Sequence, residues 1–387
     1  MSSFALNQQQ AEYVARVREV ALHELPAHEA ETGRVNRTLL SAMGRHGLLR
    51  GLFGGEPDGT PRDAAAMQLC LLRETLARVN TEAETALALQ GLGSYPILQS
   101  GNEQTVARWI PGVVSGDVVP AFALSEPGAG SDAAALALRA DPDGDGWRLS
   151  GEKTWISNAP EADVYTVFAR TTPDSRARGV TAFAVPGDAD GLSGEGIELL
   201  APHAIGRLVF DGVRVSRDDV LGEVDAGFKV AMRTLDLFRP SVGAFAVGMA
   251  QAALDCAVEY STSRQVHGAP LHEQQSVSHT LAEMATRVQA SRLLVYAAAS
   301  AYDGGADARA ITKSAAMAKL HATESAQFVV DQAVQMHGAR ALQKGHLLEH
   351  LYREVRAPRI YEGASEVQRT IIGRALVHEG KKGDPLL

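Results

Sequence analysis

The spacing of apolar residues along the chain changes twice. In the first third it is helical. Within "TPRDAAAMQLCLLRETLARVN", Met67, Leu71, Leu72, Leu76 and Val79 fall along one face, with Thr60 placed as N-cap and Pro61 in the first turn. Near Val118 the pattern shortens. "VVPAFALSE", "DVYTVFART", "GVTAFAVPG" and "RLVFDGVRV" are brief runs rich in Val, Phe and Thr and bounded by Gly, Pro and Asp. "DPDGDGW", between two such runs, has the composition of a hairpin turn. From about Asp225 the helical period returns. "VSHTLAEMATRVQASRLLVYAAASAYD" sets Val277, Leu281, Met284, Val288, Val295 and Tyr302 on one stripe, among alanines that permit close helix packing. Gly304 and Gly305 end that helix, and another is expected from about Ala306 to His337. The order predicts an α+β chain in three parts: a helical domain over 1–118, a β domain over 119–224 and a helical bundle over 225–387.

With 387 residues, 45% hydrophobic and 21% charged, the chain has the make-up of a soluble globular protein with more than one core. Its net charge of -9 argues against general nucleic-acid binding, which needs a basic footprint, but leaves room for a local basic pocket. Cys70 and Cys256 sit in apolar helical runs, where small buried side chains are expected rather than a disulfide. No metal-ligand spacing occurs. The first twenty residues show neither an apolar signal core nor an Arg-rich presequence, and no uninterrupted apolar run has the length of a membrane span. A cytoplasmic enzyme without membrane insertion is the expectation.

Three stretches carry candidate chemistry. In "AFALSEPGAGSD" (121–132) a strand runs into a Ser-Glu-Pro turn. Gly128 and Gly130 free backbone N–H groups to turn toward an acceptor, and Ser125 and Ser131 add hydroxyl donors. That set suits a polar ring edge or a phosphate, and equally an ordinary Gly-rich turn. It is not a GxGxxG fingerprint and no βαβ unit follows, which sets aside a Rossmann site. In "GEKTWISNAP" (151–160), strand alternation puts Trp155 and Ser157 on one face. An aromatic beside a hydroxyl suits a flat heterocycle, and a core Trp is the alternative. In "PRIYEGASEVQ" (358–368), Glu362 precedes Gly363 at a turn just before a helical pattern: a positioned base, or a solvated loop charge.

Together these stretches resemble the acyl-CoA dehydrogenases, a family of FAD-dependent flavoproteins. "ALSEPGAGSD" is similar to the family's first signature and "GEKTWISNA" to its flavin-flanking strand. "RPSVGAFAVGMAQAALDCAVEYSTSRQVHGAPLHEQQSV" is similar to the helix pair after the β domain, "QMHGARAL" to the Gln-x-x-Gly-Gly loop and "RIYEGASEVQR" to the catalytic segment. These motifs stand in the family's order and span nearly the whole chain. The resemblance implies an N-terminal helical domain, a middle antiparallel, barrel-like β domain and a C-terminal four-helix bundle, with FAD as cofactor and no metal. By position, it implies that Phe122, Leu124, Ser125, Gly130 and Ser131 wrap the isoalloxazine and pyrophosphate. Trp155, Ile156 and Ser157 would line the flavin, Trp155 shielding one face and Ser157 bonding near N5. Ser131, Asp236, Arg239 and Gly363 would meet the acyl-CoA, although Asp236 and Arg239 alone read equally as an i,i+3 surface ion pair. Arg264, Gln275, Gln335, Gly338 and Ala339 match positions that reach a neighbouring subunit's FAD. Ala364 and Glu366 match positions beside the flavin's phosphate and adenosine portion.

Glu362 matches the family's general base. Some relatives carry that base on the earlier helix, where this chain has Phe238. The implied reaction removes the α-proton of an acyl-CoA at Glu362 while a β-hydride passes to flavin N5, giving a trans-2-enoyl thioester. The Glu362 backbone N–H and a ribityl hydroxyl would stabilise the enolate, and a desolvated pocket would raise the carboxylate's proton affinity. An electron-transfer flavoprotein or similar acceptor and a homotetrameric assembly are the implied partners. His267, Gln274, Ala339, Ala341 and Ala364 depart from the family's usual residues, and "PHAIGRLVFDGVRV" is shorter than the usual segment. A carrier-protein thioester in place of CoA, a flavin monooxygenase and a non-catalytic flavin-binding scaffold are the competing readings. The carboxylate at 362 argues against the last two.

Overall fold

The structure is a computed structural model that describes residues 6–25, 33–53, 65–201 and 203–382. Helices α1 (Gln8–His23), α2 (Arg37–Arg45), α3 (Ala66–Val79), α4 (Thr81–Ser100) and α5 (Glu103–Ser115) come first. Strands β1 (Pro120–Ala123), β2 (Arg139–Asp143), β3 (Gly146–Ser157) and β4 (Val164–Arg170) follow, then β5 (Val180–Pro186), β6 (Leu192–Gly196), β7 (Ile205–Val215) and β8 (Val220–Leu221). The remainder is α6 (Gly227–Ser263), a ribbon of β9 (Gln265–Val266) and β10 (Ala269–Pro270), then α7 (Gln275–Asp303), α8 (Ala308–His337), α9 (Leu347–Glu354) and α10 (Ser365–Lys382). The predicted order of helical, β and helical segments is the order observed. The chain forms two compact units: Met1–Leu22 with Ala65–Glu84 and Asp236–Leu387, and His23–Ala64 with Thr85–Leu235.

The second unit is built on one sheet of order β6-β7-β3-β2-β4-β5-β8, with β1 added alongside β4. Most pairings are antiparallel; β4 pairs in parallel with β1 and, at Arg139–Arg170, with β2. The run "DVYTVFART" reads as continuously apolar because β4 is buried on both faces. Tyr165, Val167 and Ala169 enter one cluster with Leu149, Ile156 and Phe210. Val164 and Phe168 enter another with Ile97 of α4 and Ile110 of α5. The "DPDGDGW" turn joins β2 to β3 as expected.

The first unit is helical. In α7 the stripe residues Met284, Val288 and Val295 are buried, and the helix packs along α8 and against α3. α6 approaches closely enough that a Cβ on Gly243 would lie 2.7 Å from Val295 Cγ2 and 3.4 Å from the Ala318 carbonyl. Thr60 and Pro61 lie outside the described residues. α3 begins at Ala66, and its N–H groups at Ala66 and Met67 donate to the Asp303 carboxylate at 2.7 and 2.9 Å, an anion at a helix N-terminus. No uninterrupted apolar run has the length of a membrane span, yet one helix reaches that length with enough mean apolarity to cross by composition alone. α6 meets both criteria, and 78% of its apolar window is buried within the protein, as in a core helix. Both cysteines are free thiols, Cys70 buried and Cys256 partly so.

Candidate active site

Residues 361–363 form a turn that a chain does not adopt unaided. Glu362 has φ +51° and Gly363 φ +94°, a region that costs a residue with a side chain about 1–2 kcal/mol. Donors from three helices hold the turn. Lys319 Nζ of α8 donates to the Tyr361 and Gly363 carbonyls at 2.9 and 2.7 Å. Gln368 Nε2 of α10 donates to the Glu362 and Gly363 carbonyls at 3.3 and 2.8 Å. Arg239 Nε of α6 reaches the Glu362 carbonyl at 3.4 Å. Gly363 has a reason for being glycine that needs no substrate, since a Cβ there would lie 2.5 Å from Gln368 Nε2. Ahead of α10, Ser365 Oγ donates to Glu324 at 2.6 Å and Arg359 pairs with the same carboxylate at 2.9 Å, which fixes the approach to the helix.

The Glu362 side chain points inward from that turn. The residue as a whole is half-buried, yet Oε2 is sealed from solvent and, among the described residues, has no hydrogen-bond partner. Burial pushes its carboxyl pKa above the ordinary value, and Arg73, Lys319 and Arg239, in that order, pull it back. The solvated loop charge is thereby excluded. Arg73 of α3 is itself buried; its Nε donates to Glu84 and its Nη1 donates to Ser241 Oγ at 2.7 Å. Asp236 and Arg239 do pair, at 3.2 Å, but not on the surface: their side chains are 20% and 6% exposed. The second oxygen of Asp236 accepts from Thr312 Oγ1 at 2.9 Å, so the pair is held at both ends. Phe238 is buried, and Glu366 pairs with Arg369 at 80% exposure.

In the sheet unit the Ser-Glu-Pro turn rests on a buried ion pair. Lys153 Nζ donates to Glu126 Oε1 at 2.8 Å and to the Leu124 carbonyl at 3.0 Å. Glu126 also accepts from the Ala137 and Leu138 N–H groups. Burial pulls the Lys153 pKa down to about 8, against the raising effect of Glu126. Leu124 is buried and Phe122, half-buried, stacks at a tilt 4.9 Å from Phe168, while Ser125 is half-buried and Gly130 and Ser131 are exposed. In β3 the register against β7 shifts between Lys153 and Ile156, so that two residues, Thr154 and Trp155, stand opposite one. This is a β-bulge, which re-aims the side chain it carries. Trp155 takes φ +59° and is 57% exposed, so it is no core tryptophan. Ile156 is buried, and Ser157 Oγ lies 3.0 Å from His203 Nε2, whose imidazole burial pulls down to about 4.

The residues matched to a neighbouring subunit's cofactor lie apart from the Glu362 turn in the helical unit. Arg264, Gln275, Gln335, Gly338 and Ala339 are exposed, whereas Ala364, matched to the flavin's phosphate and adenosine portion, directly follows Gly363 and is half-buried. Among the described residues the Arg264 guanidinium has no ion-pair partner, whereas His267 and Gly268 form the tip of the β9–β10 ribbon with φ +53° and +84°. Sequence reasoning missed Lys319, Gln368, Arg73 with Glu84, Lys153 with Glu126, and His203. Arg73, Glu126, Lys153, His203 and Gln368 stood inside quoted stretches without being singled out, and Lys319 and Glu84 stood in none.

Comparison with known proteins follows the same lines. The chain matches "Acyl-CoA dehydrogenase, N-terminal domain" over residues 7–117, the middle domain over 121–213 and the C-terminal domain over 225–377. It is 38% identical over 363 residues to the mitochondrial short-chain specific acyl-CoA dehydrogenase of Bos taurus, covering 93% of this chain and 87% of that one. The solved butyryl-CoA dehydrogenase of Megasphaera elsdenii superimposes with a TM-score of 0.89 at 32% identity, over 97% of this chain and 100% of that one. A glutaryl-CoA dehydrogenase from Mycobacterium smegmatis in complex with FADH2 gives 0.87 at 27% identity, over 96% and 95%. The residues present fit a flavin dinucleotide. Trp155 offers an aromatic face to solvent on a bulge, and exposed Gly130 and Ser131 follow the Ser-Glu-Pro turn.

Proposed function

Because the chain belongs to the acyl-CoA dehydrogenase family, we propose that it desaturates an acyl-CoA to the trans-2-enoyl-CoA, with Glu362 taking the α-proton. The protein is an FAD-binding oxidoreductase, and FAD, when bound, supplies the acceptor for the β-hydride. The observation that carries the reading is the Glu362 carboxylate, whose Oε2 is buried, unbonded and aimed inward from a turn held by three helices.

Burial makes such an oxygen a better base, because taking a proton discharges a poorly solvated anion. Arg73, Lys319 and Arg239 oppose full protonation at rest. The α-proton of a thioester is weakly acidic, so the charge that develops on the carbonyl oxygen needs a fixed donor. Among the described residues the Glu362 N–H donates to no other group, and we assign it that role. Trp155 and Ser157 are assigned to the flavin's face and edge, with Phe122, Leu124, Ser125, Gly130, Ser131 and Ile156 around it. Asp236 and Arg239 are assigned to the CoA arm side, Arg239 also bracing the base through the Glu362 carbonyl.

Arg264, Gln275 and the Gln335–Ala339 loop support an assembly in which one subunit reaches its neighbour's FAD, a homotetramer by family resemblance. An electron-transfer flavoprotein is the proposed acceptor. Relatives named for short-chain and butyryl-CoA substrates make short acyl-CoAs the first class to try. The test is anaerobic mixing of the yellow protein with straight, branched, cyclic and aromatic acyl-CoAs, and with acyl-carrier thioesters. Flavin bleaching with an acyl-CoA, and a product two hydrogens lighter, is the expected result. Bleaching by no acyl-CoA defeats the proposal.

A further inference from the structure

Lys319 is a buried cation whose hydrogen bonds the proposed chemistry leaves unused. It lies in the alanine-rich middle of α8 at 0% exposure, and burying an ammonium is costly unless it is fully bonded. Two of its hydrogen bonds go to the Tyr361 and Gly363 carbonyls, one on each side of Glu362. The first is the informative one. The Tyr361 carbonyl shares its peptide group with the Glu362 N–H. In a planar trans peptide the two point in opposite directions, so anchoring the oxygen on Lys319 fixes where the N–H points. A cation bonded to a carbonyl also draws electron density across the amide and strengthens the opposite N–H as a donor. Gln368 and Arg239 act only on the next two carbonyls, at Glu362 and Gly363. Among the described residues Lys319 alone donates to the Tyr361 oxygen.

We propose that Lys319 is a positioning residue: through the Tyr361 carbonyl it aims and polarises the Glu362 N–H as the donor to the thioester carbonyl oxygen. As the Cα–H bond breaks, its proton goes to the Glu362 carboxylate and its electron pair delocalises onto that oxygen, where the polarised N–H meets it. The inference rests on the function proposed above. A lysine that merely held the turn would be replaceable by any donor of similar reach; the polarising role needs the charge.

The test uses the FAD-loaded protein with Lys319→Met, which keeps bulk without a donor, and Lys319→Gln, which keeps a neutral donor. Two readouts apply: loss of α-hydrogen from butyryl-CoA into D₂O by NMR, and the infrared stretch of bound ¹³C-carbonyl enoyl-CoA. In wild type, exchange proceeds and the stretch lies below its value in water. Lys319→Met should retain FAD, exchange at least tenfold more slowly and lose at least half of the frequency shift. Lys319→Gln should fold and bind FAD, yet recover neither readout fully. If Lys319→Met does not fold, Lys319→Gln decides alone. A folded variant with exchange within twofold of wild type and an unchanged stretch overturns the inference. Wild-type protein with neither exchange nor a shifted carbonyl instead refutes Glu362 as base, and this inference with it.

Discussion

Replacing Gly363 with alanine places a methyl group 2.5 Å from Gln368 Nε2 at a backbone φ of +94°. Two penalties add. The left-handed backbone costs alanine about 1–2 kcal/mol. Pushing the amide aside breaks its hydrogen bonds to the Glu362 and Gly363 carbonyls, worth about 1 kcal/mol each. Gln368 is fully buried, so the displaced N–H finds no water to replace them. The sum is a destabilisation of about 3–4 kcal/mol, measured by urea unfolding at fixed FAD. In a Gln368→Ala background the obstacle is gone, and Gly363→Ala should then add only the backbone part, about 1–2 kcal/mol. The cycle thus predicts a coupling of about 2 kcal/mol. Since Glu362 is the preceding residue, flavin reduction by an acyl-CoA should slow more than about tenfold in Gly363→Ala and recover in part in the double variant. Equal costs in both backgrounds would refute this account and leave Gly363 only its match to a position that meets the acyl-CoA.

Arg73→Met takes the arginine from the buried Glu84 carboxylate and should cost about 3–5 kcal/mol, whereas Arg73→Met with Glu84→Gln should cost far less; equal losses in urea unfolding contradict the pairing. Trp155→Ala removes an exposed ring, so stability should change by about 0.5 kcal/mol or less while FAD affinity falls about tenfold or more, read by flavin fluorescence titration. An unchanged affinity removes Trp155 from the flavin face. Burial holds Glu362 above its ordinary 4.5, so the folded state keeps a proton that the unfolded chain has released. That stabilisation is complete below the unfolded value and lost as pH rises through the folded one. The rate of flavin reduction should climb over the same displaced window, and a limb in the ordinary carboxylate range refutes the buried base.

The parts of the fold set by periodicity were legible. The Val-, Phe- and Thr-rich runs "VYTVFAR" and "VTAFAVP" are strands buried along nearly their whole length, and the stripe of α7 follows from which face is buried. Trp155 shows where this stops. Strand alternation predicts its face, but a one-residue register shift and a left-handed backbone put it outward, and neither leaves a mark in "GEKTWISNA". Asp236 and Arg239 were recognisable as an i,i+3 pair, whereas their burial depends on α6 being packed in the helical unit. Glu362 was marked by the glycine after it. Its supports were not, because Lys319 lies 43 positions earlier, as the turn's bond to Gly363 spans 44, and Arg73 is brought in from a different helix. Charges buried by tertiary packing read, in one dimension, like any others on a helix.

The most direct test of the central claim is Glu362→Gln, read by anaerobic flavin reduction in a stopped-flow instrument. Glutamine keeps the shape and loses the basic oxygen, and the turn is held through backbone carbonyls that the change leaves in place. The variant should remain yellow, folded and able to bind acyl-CoA. Glu366 is the nearest carboxylate in sequence, and its side chain is 80% exposed and paired with Arg369, so it does not stand ready to substitute. Positioned base catalysis contributes roughly 10²–10⁴-fold, and the loss should reach the upper part of that range with every acyl-CoA. Reduction within tenfold of wild type would contradict Glu362 as the base.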